Sequence, residues 1–81
     1  MDVFDAIRSA EASGDDRVRI DFANVAYMTS SVIETMVLAR NAASQSGIVL
    51  VIVNASPNVR EVFTITGLNK LFEYDDGRPN A

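Results

Sequence analysis

Apolar residues recur at changing intervals along the chain, and each change of interval marks a new element. Val3, Phe4, Ile7 and Ala10, with Ala6 beside them, fall on one helical face. Asp2 and Asp5 stand where carboxylates favour a helix N-terminus, and Gly14 offers a stop. This spacing predicts a helix over about 2–13. From Arg17 to Phe22 the period shortens to two, with Val18, Ile20 and Phe22 on one side and Arg17, Arg19 and Asp21 on the other. That is a half-buried strand over 17–22, solvated on its charged side or close to a sheet edge.

The period lengthens again after Met28. Ser31 and Glu34 have the spacing of a capping box, in which the hydroxyl accepts from the backbone three residues on and the carboxylate reaches back. Val32, Met36, Ala39 and Ala43, flanked by Ile33 and Val37, form a broad apolar stripe, predicting a helix over 31–46 that stops at Gly47. The run 48–53 is apolar throughout, which suits a central strand covered by helices on both faces. Ser56 can cap a third helix over 57–66, with Pro57 at its first position and Val59, Val62 and Phe63 inward. Gly67 fits a left-handed stop that brings Leu68 against Phe63. Residues 71–74 make a last short strand, and 75–81 form a polar, frayed tail. Alternating helices and strands imply an α/β fold with a small, mainly parallel sheet and right-handed crossovers, in a single domain spanning 1–81.

Composition narrows what such a fold can do. The 81 residues hold neither Cys nor His, which removes thiolate chemistry, disulfides and the commonest general base and transition-metal ligand. A formal charge of −4 attracts no phosphate backbone, so no nucleic-acid partner is expected. The acidic N-terminus is unlike a secretory signal, and the longest apolar run is far too short to cross a bilayer. The expectation is a cytoplasmic protein without membrane insertion. The pairs Asp15-Asp16 and Asp75-Asp76 lack the further oxygen ligands of a calcium loop, so no metal or other cofactor is expected. No phosphate-binding glycine loop and no nucleophile elbow occurs, and Ser30 and Ser31 have no His to activate them. A small α/β enzyme or nucleotide binder is therefore the disfavoured alternative.

Three segments, in order, carry a resemblance. Residues 18–28 are a strand followed by a loop ending in Tyr27-Met28; Thr29-Ser30-Ser31 opens a helix; and Ser56-Pro57-Asn58-Val59-Arg60-Glu61-Val62-Phe63 is followed by Thr66-Gly67-Leu68 and Leu71-Phe72. Together, over about 17–74, these resemble the STAS family of anti-sigma-factor antagonists. The resemblance implies a non-catalytic module that binds an anti-sigma factor acting also as a serine kinase. In bacterial members the helix start commonly reads Asp-Ser-Ser/Thr-Gly, and phosphorylation of the Ser after the Asp releases the partner. By position that residue is Ser30, with Ser31 the less favoured candidate. Thr29 stands in place of the Asp and Val32 in place of the Gly.

A phosphoryl group on Ser30 would add about −1.5 to −2 charges at a helix N-terminus. The helix tolerates that charge, but a partner docked over Tyr27, Met28, Thr29, Ser30, Ser31 and Val32 would have to desolvate it. The alternative within the same fold is a phosphorylation-independent scaffold or transporter accessory domain that uses this face constitutively, its partner then being another STAS-binding protein. Family members usually begin with strands before the first helix, whereas this chain opens almost directly on it. The sheet should then have an exposed edge, completed in a homodimer or by a partner.

Overall fold

A computed structural model describes residues 3–75. The elements are α1 (Val3–Ser13), β1 (Arg17–Asp21), α2 (Ser30–Gln45), β2 (Val49–Val53), α3 (Pro57–Thr66), a 3-10 turn at Leu68–Lys70, and β3 (Glu73–Asp75). All six expected elements are present. Asp2, expected at the start of the first helix, and 76–81 lie outside the described residues, whereas Asp75, expected in the polar tail, ends the last strand. The last strand begins two residues later than its apolar pattern suggested. The turn after Gly67 takes up that length, with Lys70 N–H donating to the Gly67 carbonyl at 3.3 Å and Leu71 N–H to that of Leu68 at 2.9 Å. The stop itself is as expected, since Gly67 has φ +78°, a conformation that costs glycine little.

The three strands are all parallel and lie in the order β1-β2-β3. That order decides where the helices go. Two right-handed crossovers stepping in the same direction across a sheet place their helices on the same face. Residues from α1 (Ile7, Ala10), α2 (Met36, Ala39, Ala43) and α3 (Val59, Phe63) accordingly share one core cluster with Val18, Leu50 and Ile52. The expectation of helices on both faces is thus corrected: the helix layer is one-sided, because the strand order never reverses direction.

An all-apolar β2 still needs cover on the open face. Val51 is only 3% exposed although it lies outside the core cluster. The register sets Arg19 and Glu73 on either side of it. Arg17 donates across β2 to both carboxylate oxygens of Glu73, at 2.6 and 3.4 Å, and Arg19 donates to Asp75 at 2.5 Å. These two diagonal ion pairs bracket Val51. Solvent screens such exposed pairs, so they contribute at most about 1 kcal/mol each. Their aliphatic stems nevertheless shield apolar surface.

On the helix side the core is organised around Phe63, which is fully buried. Phe22, Phe72 and Tyr74 meet its ring edge-on at 5.8, 5.5 and 6.1 Å between centroids. The aromatic cluster therefore joins the loop after β1, the middle of α3 and the approach to β3. It fixes the end of the sheet from which the β1–α2 and β2–α3 loops emerge.

A displayed helix start as the candidate functional site

Parallel strands send their C-terminal ends to one edge, and α2 and α3 both begin there. Asp21, at the end of β1, ties the two departing loops together. Its Oδ1 accepts from Ala23 N–H at 2.8 Å and from Asn54 Nδ2 at 3.2 Å. These two hydrogen bonds, the backbone one first, hold the Asp21 carboxyl below its ordinary pKa. Asn54 sits at φ +58°, a left-handed conformation that Asn adopts more readily than most side chains. Neither residue stood out in the sequence as part of a site. The only signal was a polar residue at the end of each of two consecutive strands.

The β1–α2 loop is anchored at intervals of three. Phe22 is buried, and Val25 and Met28 pack against the core. Val25 N–H donates to the Phe22 carbonyl at 3.0 Å, closing a turn. Tyr27 falls between these anchors and projects outward, 76% exposed.

Helix α2 starts earlier than the Ser31–Glu34 spacing suggested. The cap is Thr29, in extended conformation, whose Oγ1 accepts from Val32 N–H at 3.2 Å. Its carbonyl accepts the first helical bond, from Ile33 N–H at 3.0 Å. Two residues on, the expected box is not what caps the helix, because Ser31 already lies inside the first turn. Met28 before the cap and Ile33 four residues after it both pack against the core. That is the arrangement of a hydrophobic staple, and it selects Thr29 over Ser31.

The sequence-predicted residues therefore separate by role. Met28 and Val32 are half-buried and hold the start in place, and Thr29 caps it. Tyr27, Ser30 and Ser31 are exposed together. Ser30 and Ser31 occupy the first two helical positions, where backbone N–H groups have no intrahelical acceptor and the helix dipole is positive. An anionic group on Ser30 would meet donors, not repulsion. Among the described residues no helix is long and apolar enough to cross a membrane.

Comparison with known proteins agrees with this architecture. The sequence model of the STAS domain matches residues 2–80. No curated protein sequence matches the chain. Among solved structures, a candidate anti-sigma factor antagonist of Thermotoga maritima superposes with a TM-score of 0.71 at 18% identity, covering 93% of this chain and 68% of that one. At that identity the likeness speaks for the fold.

Proposed function

This chain belongs to the STAS domain family, and we propose that it is a non-catalytic regulatory module of the anti-sigma-factor-antagonist type, acting through the start of α2. The observation that carries this reading is the capped, exposed helix start, with the Ser30 hydroxyl and two free backbone N–H groups presented beside Tyr27. Tyr27, Met28, Thr29, Ser30, Ser31 and Val32 form the docking surface, and its partner is an anti-sigma factor with serine-kinase activity. Phosphorylation of Ser30 places a dianion on the surface the partner must dehydrate, so it releases the partner while leaving the helix intact. A cytoplasmic role in transcriptional regulation accords with this reading.

The identity of the cap bears on the switch. Thr29 stands where the resemblance has Asp, and both side chains serve as helix caps. The substitution therefore conserves the local fold and removes only a negative charge. Val32 replaces a glycine but turns partly into the core, which leaves Ser30 accessible. The second reading, a constitutive scaffold or transporter accessory that needs no phosphate, draws on these same two departures. Incubation of the chain with a cognate anti-sigma kinase and ATP, read by intact mass, separates the two. A gain of one phosphoryl group that is absent from Ser30→Ala supports the switch, and an unchanged mass favours the scaffold.

A further inference from the structure

Among the described residues the outer edge of β1 is unpaired, and it lies apart from the α2 start. Along β1, Asp16 offers its carbonyl to Val49 N–H at 2.8 Å, and Phe22 N–H donates to the Val53 carbonyl at 2.9 Å. Even-numbered residues thus direct their backbone groups toward β2. Because direction alternates along a strand, those of Arg17, Arg19 and Asp21 point away from it. No other strand pairs with this side among the described residues. A cavity of about 260 Å³ opens here, lined by Val3 and Ala6 of α1 and by Arg19, Ile20 and Asp21 of β1. No residue of β2 or α2 contributes, so it lies on the side of β1 away from the sheet. Ile20 points to the core face yet stays only half-buried, unlike Val18.

The geometry points to a β-augmentation groove roofed by α1, which receives an extended segment of another protein in which apolar and acidic residues alternate. The backbone row supplies the pairing, and Val3, Ala6 and Ile20 supply an apolar wall for alternate side chains. The other side chains of the incoming strand emerge on the open face beside Arg17 and Arg19. Those two arginines now reach across all of β2 to find Glu73 and Asp75, a span of about two strand spacings, or ~9.6 Å. Both guanidinium groups are already in contact with those carboxylates, but each carries five N–H donors, so a carboxylate one spacing away can share them, whereas a cation there opposes them directly. A second copy of β1 fits less well. It would bring its own α1 over the same groove, and the two helices would claim one volume.

The test uses the full chain and three labelled eight-residue peptides followed by fluorescence anisotropy: alternating Val and Glu, alternating Val and Lys, and four Val followed by four Glu. The alternating Glu peptide should saturate roughly tenfold more tightly than its Lys counterpart, and the block peptide should not saturate. Ala6→Arg, with its helical circular dichroism retained, should abolish binding by filling the groove. Arg19→Ala, which leaves the apolar wall intact, should shrink the Glu-over-Lys preference. Ser30→Asp should bind as wild type does, which keeps this outcome separate from the α2 proposal. Equal affinity for the Glu and Lys peptides, or saturation by none of them, overturns the assignment. So does a solution dimer, seen by light scattering, that Ala6→Arg converts to monomer, because a second copy would then occupy the edge.

Discussion

Helices α2 and α3 begin at the same edge of the sheet and use the same cap chemistry, yet their surroundings differ. The Ser56 hydroxyl accepts from Val59 N–H at 3.3 Å, and the Thr29 hydroxyl accepts from Val32 N–H at 3.2 Å. Behind the α3 cap, Val59 is fully buried and Ala55 packs against the core. Around the α2 cap, Tyr27, Ser30 and Ser31 face solvent. The first two helical residues are exposed in both, Pro57 and Asn58 as well as Ser30 and Ser31; the starts differ at the third, where Val59 closes the fold while half-buried Val32 leaves a displayed surface beside Tyr27. Cap chemistry alone therefore does not distinguish the two starts; the residues around each cap do.

Three perturbations probe that contrast. The largest effect should come from the structural side. Phe63→Ala removes the ring on which Phe22, Phe72 and Tyr74 converge and should cost about 3–5 kcal/mol in urea unfolding. In a chain this small such a loss leaves little of the native state populated. A cost below about 1 kcal/mol would mean that α3 is not the closing element.

The caps themselves come next. Ser56→Ala and Thr29→Ala each remove one backbone acceptor and should each cost about 1 kcal/mol. Their stability effects should match, while only Thr29→Ala weakens partner binding, measured by calorimetry on the folded fraction. If Ser56→Ala weakened binding as much, the division between a closing and a displayed start would fail.

The smallest effect concerns Asp21, which joins the two loops. Its carboxyl is held below the ordinary value by Ala23 N–H and then Asn54. A lowered carboxyl pKa stabilises the fold above the unfolded value near pH 4, and that contribution disappears as pH falls through the lowered folded value. Asp21→Asn should therefore be less stable than wild type at neutral pH, and the gap should narrow below about pH 4. A gap constant from pH 7 to pH 3 would show that the Asp21 charge plays no part.

Much of this architecture was legible in the spacing of residues. Ser56, Pro57 and Gly67 bound α3 at 57–66 as their chemistry predicts, because cap, first-turn proline and left-handed stop all agree there. At α2 the box spacing points to Ser31, and Thr29 caps instead. The Ser31–Glu34 spacing is a local signal, whereas the choice of Thr29 depends on where Met28 and Ile33 find the core, which no local pattern contains. The one-sided helix layer was illegible for a similar reason. Residues 48–53 look the same whether helices lie on one face of the sheet or on both, and only strand order distinguishes them. The Asp21–Asn54 link joins residues 33 apart in sequence, so it too appears only once β1 and β2 are paired. The segment around Ser30 stands out through its resemblance to the family's helix start, and the structure adds which of its side chains pack against the core.

A charge at Ser30 should change what binds the α2 start and not whether the helix forms. Calorimetric titration of wild type, Ser30→Ala and Ser30→Asp against an anti-sigma-factor partner, with urea unfolding of each, tests it most directly. An acidic residue in the first turn should leave stability unchanged or raise it by up to about 1 kcal/mol. Ser30→Ala should bind like wild type while Ser30→Asp loses at least tenfold in affinity. Equal binding by all three, or an affinity loss in Ser30→Asp that accompanies a loss of stability, would contradict it.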